Sequence, residues 1–260
     1  MLYSKRSGEG KTIVFIHGSS QSMVAWDRLV MEPVLALYSL LRVDLPGHGQ
    51  SFWSEDPQRD YSLKGMAVHL EGFLGAIEED FVVVTNSLAG NLVAEIIFRL
   101  KKCKGLFLTG PSVIGHQFSV SEIAQPNPYF GVTFSADPEK EELEGLAGTL
   151  VADPSVSLKL KVIEMFRNTD PKVRLQLGVS IGSGDWGEEV DNLEKLSYPV
   201  AVVYGALEQV IFPDYLEGTK IDMWRDKVIK IPGAGHCCHL DKPAVLATLI
   251  HEYASTQFLD

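Results

Sequence analysis

The chain has 260 residues, enough for one large domain or one domain carrying a sizeable insertion. Its 45% hydrophobic content suits a buried core, and Gly 23 with Pro 13 lies near average usage, which excludes low-complexity and collagen-like chains. Asp+Glu 34 against Lys+Arg 23 leaves a formal net charge of −11, which argues against a nucleic-acid partner or an anionic membrane surface.

Met1 to Arg6 runs into Gly and charge with no apolar stretch behind it, so no signal peptide is expected. No apolar run approaches the roughly 18 to 20 residues of a bilayer span. Cys103, Cys237 and Cys238 form no disulfide framework and favour a reducing, cytoplasmic setting.

Short apolar, β-branched runs recur along the chain. The clearest predicted strands are Thr12–Ile16, Phe81–Thr85, Gly105–Thr109 and Val200–Tyr204. Each is nearly continuous in apolar residues, as a strand buried on both faces of a parallel sheet requires. Leu40–Val43 and Val228–Ile231 are weaker candidates, and Leu2–Lys5 is a short edge strand before a turn at Ser7–Gly10. Ser62–Glu78 has the three-and-four apolar spacing of an amphipathic helix. Ser87–Leu100 is apolar around most of its circumference, and Pro243–Phe258 opens with proline in its first turn. This alternation predicts a doubly wound α/β domain. The rhythm breaks at 115–187, where helices are expected over Pro138–Leu150, Ser155–Arg167 and Pro171–Leu177. A helical insertion in an α/β sheet is a cap or lid, leaving residues 1–114 and 188–260 as the core.

The strongest chemical signal is Thr85-Asn86-Ser87-Leu88-Ala89-Gly90, where a buried strand turns directly into an apolar helix. A serine on so sharp a turn is lifted above the carboxyl edge of the sheet with its hydroxyl exposed. A helix N-cap is the alternative for the same residue, and Thr85 is bulkier than the glycine such a turn favours. Three other loops after predicted strands carry His17-Gly18-Ser19-Ser20, Asp44 to Ser51, and Gly233-Ala234-Gly235-His236. A fourth carries Glu208. Serine, carboxylate and histidine therefore occur in the order 87, 208, 236, each on the edge of a parallel sheet where sites form.

In these motifs the sequence resembles the α/β-hydrolase superfamily. The resemblance implies a mostly parallel sheet of seven or eight strands flanked by helices, the short N-terminus favouring seven, with a helical cap inserted after the sixth strand. A narrower similarity is to N-acyl-homoserine-lactone hydrolases and small-ester hydrolases with a glutamate acid. It implies Ser87 as nucleophile, His236 as base and Glu208 as the acid that orients it, with Asp214 in reserve because Pro213 lies one residue later than the family pattern. It also implies an oxyanion hole from the backbone N–H groups of Ser19 and Leu88. The expected activity is cleavage of a small-molecule carboxylic ester or lactone through an acyl-enzyme. Amide, thioester and carbon–carbon hydrolases share the constellation, and a ligand-binding or receptor module on the same fold is the alternative class.

Trp26 is expected to pack under the oxyanion loop, where it is also a candidate to border the acyl pocket; Tyr129, Phe134 and Phe166 are candidates to border the substrate pocket, although aromatics of a cap more often form its own core. His48 and Asp44 are read as organisers of their own turn. His236-Cys237-Cys238-His239 lacks the spacing of zinc modules, so no metal is expected. Without a Gly-rich phosphate loop no nucleotide cofactor is expected either.

Overall fold

The computed structural model describes residues 1–153 and 155–259; Pro154 and Asp260, within the expected insertion and core ranges, lie outside the described residues. Seven strands occur among the described residues: β1 (Ser4–Ser7), β2 (Lys11–Ile16), β3 (Tyr38–Val43), β4 (Phe81–Asn86), β5 (Cys103–Thr109), β6 (Ala201–Gly205) and β7 (Ile229–Ile231). They form one sheet in the order β1-β3-β2-β4-β5-β6-β7, with β1 antiparallel to β3 and all other pairings parallel. The helices are α1 (Pro57–Asp60), α2 (Leu63–Gly75), α3 (Leu88–Ile96), α4 (Val120–Ile123), α5 (Lys140–Leu150), α6 (Val156–Arg167), α7 (Pro171–Gly182), α8 (Glu189–Glu194), α9 (Cys238–Asp241) and α10 (Pro243–Gln257).

Both faces of the sheet are covered, which is why its strands carry almost no polar break. Ile13, Phe15, Val82, Val84 and Phe107 pack on one side against Leu246, Ile250 and Tyr253 of α10. Val14, Ile16, Val83, Leu106 and Leu108 pack on the other side with Met66 and Leu70 of α2, Leu92 of α3 and Leu193 of α8. The Ser62 hydroxyl starts α2 by accepting from Gly65 N–H at 3.0 Å.

The segment between β5 and β6 is helical and has its own small core, in which Leu143, Leu146, Val162, Ile163 and Phe166 meet Cys237 and Leu240 from the sheet domain. In a seven-stranded sheet this insertion leaves after the fifth strand of the chain. Helix α7 runs past the expected end at Leu177 to Gly182. Its interior Gly178 looks like a stop in sequence, but it lets Phe134 approach, for a Cβ there would stand 3.2 Å from the Phe134 Cβ. Strand β1 begins two residues later than expected, and α3 closes at Ile96 into a 3-10 turn over Ile97–Arg99. Among the described residues no helix is long and apolar enough to cross a membrane.

One irregularity is repaired from a distance. The β4–β5 register shifts between Phe81 and Val82, which face Cys103 and Gly105. The Leu106 N–H beside this shift donates to the Tyr253 hydroxyl at 2.8 Å, and that hydroxyl donates to Pro199 O at 2.8 Å. Tyr253 is fully buried. Removing its oxygen orphans a buried donor and a half-buried acceptor, so Tyr253→Phe should lower unfolding free energy by about 1–3 kcal/mol. Urea unfolding of the two proteins measures this; an unchanged midpoint would refute the role given to this hydroxyl.

Candidate active site

Ser87 is the single residue between β4 and α3, and it adopts φ 50, ψ −124. A positive φ at a non-glycine residue costs about 1–3 kcal/mol and persists only where the surroundings enforce it. Here Ser87 N–H donates to Thr109 O at 2.9 Å, and Ser87 O accepts from Gly90 N–H at 2.8 Å. The hydroxyl makes no capping bond to α3, so the N-cap alternative does not describe this serine. Thr85 is fully buried at this turn, and a Cβ on Gly90 would stand 3.5 Å from its Oγ1, an ordinary contact distance.

The loop after β2 reaches the same place. A Cβ on Gly18 would lie 3.2 Å from Ser87 Cβ and 2.9 Å from Asn86 Oδ1, so only glycine lets this loop come so near. Its path is set by buried side chains. Asp44 accepts from Met23 N–H at 2.6 Å and Gln50 N–H at 2.9 Å, clamping the loops after β2 and β3 together. His48 Nε2 accepts from Ser20 N–H at 3.1 Å, and His17 Nε2 accepts from Leu45 N–H at 3.0 Å. Each ring has its Nδ1 within 2.9 Å of a carbonyl oxygen, that of Pro46 and Gly18 respectively. Burial pushes both imidazoles down, His17 to about 4 and His48 to about 3, so they serve as neutral struts.

His236 and Glu208 meet beyond β7 and β6. The His236 Nδ1 lies 2.9 Å from Glu208 Oε2 and 3.1 Å from Oε1. The carboxylate is held by its own loop, accepting from Val210 N–H at 2.8 Å. Gly205 makes the meeting possible, because a Cβ there would collide with the backbone carbonyls of Ala234 and Gly235. Asp214 lies elsewhere, paired with Lys230 at the surface. The other members of the His236–His239 run diverge: Cys237 Sγ takes a contact from Gln21, Cys238 Sγ donates to Gly235 O, and the His239 ring stacks on Trp26 at 4.4 Å.

Ser19, Ser87, Leu88 and His236 all border one cavity of about 140 Å³ between the sheet edge and the insertion. Phe134 and Phe166 line it. Trp26 and Tyr129 do not. Trp26 is fully buried one layer lower between Phe15 and His239, and Tyr129 packs into the insertion over Gly145. Sequence reasoning missed three supports. Asn86 donates to Thr109 O at 3.1 Å and His236 O at 3.4 Å. Gln125, from a turn-rich stretch of the insertion, donates to Glu208 O at 2.9 Å and Ile211 O at 2.8 Å. Asn91, one helical turn beyond Ser87, donates to Glu189 Oε2 at 2.7 Å.

Glu189 is a buried carboxyl where the insertion rejoins the sheet. Its Oε2 also accepts from Ile114 N–H at 2.8 Å, tying both ends of the insertion to α3. Burial pushes its pKa up to about 8, with Glu95 adding repulsion and the two donors opposing.

Residues 13–249 match a model of the alpha/beta hydrolase family. A curated relative is the dihydrolipoyllysine-residue acetyltransferase component of the acetoin cleaving system of Cupriavidus necator, 23% identical over 92% of this chain. The chain spans 62% of that protein's length. An esterase of Mycobacterium tuberculosis is 42% identical over 52 residues, 19% of this chain and 15% of its own. Among solved structures, the N-acyl homoserine lactonase AidH with N-hexanoyl homoserine lactone superposes with a TM-score of 0.89 at 26% identity, covering 99% of this chain and 94% of that one. An esterase from Exiguobacterium antarcticum shares the fold at TM-score 0.79 and 15% identity, over 98% and 95% of the two chains.

The Glu189 proton has a consequence for stability. Between about pH 4.5 and pH 8 the folded chain retains this proton while the unfolded chain releases it. The carboxyl's stabilising contribution is therefore complete below about pH 4.5 and is lost as pH rises to about 8. Glu189→Gln keeps an acceptor for Asn91 and Ile114 and cannot ionise. It should nearly match the parent near pH 5 and become the more stable protein at higher pH, the gap widening by up to about 1.4 kcal/mol per pH unit before levelling off. Urea titrations at pH 5, 6.5 and 8 read this directly, and a pH-independent gap would rule it out.

Proposed function

Since the chain belongs to the alpha/beta hydrolase family, we propose that it is a serine hydrolase cleaving a carboxylic ester or lactone through an acyl-enzyme. The observation that carries this reading is the uncapped Ser87 hydroxyl on a strained strand-to-helix turn, bordering the same cavity as a histidine already paired with a carboxylate.

Each group has a chemical task. With Glu208 accepting from the Nδ1–H of His236, the imidazole presents an unprotonated Nε2 and takes the Ser87 proton as Oγ attacks the carbonyl carbon. Glu208 then stabilises the imidazolium. The carbonyl oxygen gains charge, and the N–H groups of Ser19 and Leu88 are the proposed donors to it. Neither has another acceptor among the described residues, and one such donor is typically worth about 2.7–4 kcal/mol of barrier. His236 returns its proton to the departing alkoxide; in a lactone that alkoxide stays tethered to the acyl group. A water, deprotonated by the same imidazole, then hydrolyses the acyl-enzyme and restores Ser87.

The helical insertion, 115–187, acts as a cap that selects the acyl group. Phe130, Phe134, Leu146, Val162, Phe166 and Trp186 give the cavity a mainly apolar wall. AidH, whose structures hold N-hexanoyl homoserine lactone, supports a lactone bearing an acyl chain as the substrate type. Three unpaired, buried cysteines support action in a reducing compartment, the cytoplasm.

A fluorophosphonate probe should label Ser87 in the parent protein, with labelling nearly abolished in His236→Ala. Glu208→Gln should lower kcat about 10³- to 10⁴-fold while KM moves little, because the imidazole loses its orienting acceptor. A folded, histidine-intact protein that takes up no probe would favour the ligand-binding alternative. A homologous series of acyl esters and lactones tests the cap: kcat/KM should rise up to about fourfold per added methylene until the cavity is filled. A flat series, or a preference for charged acyl groups, would reject the apolar acyl pocket and leave the Ser87 chemistry intact.

A further inference from the structure

Glu208 opens a turn whose hydrogen bonds are exchanged. In an ordinary β-turn the N–H of the last residue donates to the carbonyl of the first. Across Glu208–Ile211 that bond is absent. The N–H groups of Val210 and Ile211 are directed instead to the Glu208 carboxylate, at 2.8 Å and 3.4 Å from Oε1. With His236 Nδ1 at 2.9 Å from Oε2, they fix a carboxylate that is wholly shielded from solvent. The exchange leaves the carbonyls of Glu208 and Ile211 with no backbone donor among the described residues.

Both carbonyls are taken by one side chain of the insertion. Gln125 Nε2 donates to Glu208 O at 2.9 Å and to Ile211 O at 2.8 Å, which uses both of its hydrogens. The backbone around it lies against the turn as a short antiparallel ladder. Ala124 pairs with Ile211, Gln125 N–H donates to Val210 O at 2.8 Å, and Phe212 N–H donates to Ile123 O at 2.8 Å. Pro126 favours this arrangement, because the residue before a proline is biased toward extended backbone. Ile123, Ala124, Val210 and Ile211 all border the cavity, so the ladder is also part of its wall.

The two Gln125 bonds select between two forms of the turn. While Glu208 O is occupied, Ile211 N–H remains available to the carboxylate. Without Gln125, Glu208 O lacks a donor, and Ile211 N–H is the group that fills it in an ordinary turn. The carboxylate then loses a contact at Oε1 and, with it, part of what holds it facing His236.

Resting on the hydrolase reading above, we infer that Gln125 is a positioning residue for Glu208. It holds the turn in the form that aims the carboxylate at His236, so the insertion serves proton transfer as well as the acyl wall. Gln125 touches neither the substrate nor a reacting atom and acts only through Glu208.

Gln125→Met keeps the reach of the side chain and removes both donors. With p-nitrophenyl butyrate as substrate, kcat should fall about 10- to 100-fold while KM stays within about twofold, a smaller loss than for Glu208→Gln because the carboxylate is still present. In proton NMR of the substrate-free protein, the downfield resonance of the His236 Nδ1–H, which reports its bond to Glu208, should move upfield. The decisive comparison is Glu208→Gln against Glu208→Gln/Gln125→Met. Their rates of fluorophosphonate labelling should agree within about twofold, since a residue acting through Glu208 has no carboxylate left to position. A brace that merely supports the insertion would slow the double variant further, and that result overturns the inference. An unchanged kcat, a loss confined to KM, or an unmoved resonance in Gln125→Met overturns it as well. If Gln125→Met fails to fold by circular dichroism, Gln125→Asn, whose side chain is one methylene too short to span both carbonyls, carries the same comparisons. Failure of the hydrolase reading looks different: the parent protein cleaves no ester and takes up no probe, while the His236 resonance still tests the role of Gln125.

Discussion

The carboxamide of Asn86 is the contact on which the site geometry depends. Its nitrogen holds Thr109 at the end of β5 and the His236 carbonyl beyond β7, and its oxygen holds Gln21 in the loop after β2. One side chain at the end of β4 thus ties the three loops that surround Ser87. A parallel sheet brings these loops to one edge, but the edge alone leaves their mutual spacing loose. A buried, fully used amide removes that freedom, because any loop that drifts leaves a polar atom unpaired in a dry environment. The strained φ of Ser87 is sustained by the same neighbourhood, with its N–H on Thr109 O and Gly18 packed against its Cβ.

The insertion is attached to this edge by polar contacts as well as by apolar packing, in which Val173 and Leu177 join the core beside α2 and Leu143 and Phe166 meet Cys237 and Leu240. Gln125 grips the Glu208 loop, and Phe212 N–H pairs with Ile123 O at 2.8 Å to make a short ladder beside it. Asp170 N–H meets Gly47 O at 2.8 Å while its carboxylate takes the Tyr61 hydroxyl at 2.9 Å. Glu189 closes the other end. The loops that carry His48 and Glu208 are therefore each braced from above as well as from the sheet. A displacement of the insertion would be felt at Glu208 first, through the two Gln125 bonds.

Much of this was legible in the sequence because it is local. Continuous apolar runs mark strands covered on both faces, and the step from Val82–Val84 to Leu88–Val93 with only three residues between leaves room for nothing but a sharp turn. Ser87, Glu208 and His236 share a signal that survives without coordinates: each follows a strand. The supports were not legible: the partners of Asn86 lie 23 and 150 positions away, Gln125 and Glu189 act between the insertion and the sheet, and nothing in the neighbours of those last two distinguishes them from surface polar residues. Burial depth was equally hidden. Trp26 and Tyr129 have the composition of pocket residues, but Trp26 sits a layer below the cavity and Tyr129 fills a space that Gly145 leaves open.

The cavity wall divides by origin. Its polar atoms come almost wholly from core loops and from α3, through Ser19, Ser20, Gln21, Ser87, Asn91 and His236, whereas the insertion supplies nearly all of its aromatic surface. The two contributions obey different constraints. Polar groups must hold their places to a few tenths of an ångström to be useful, and they are built on loops anchored to a rigid sheet. Apolar contacts are non-directional and tolerate changes of side chain at constant volume, so they can be carried by a segment attached at a few polar points. A cavity partitioned this way can change shape by repacking Phe130, Phe134 or Trp186 without disturbing Asn86.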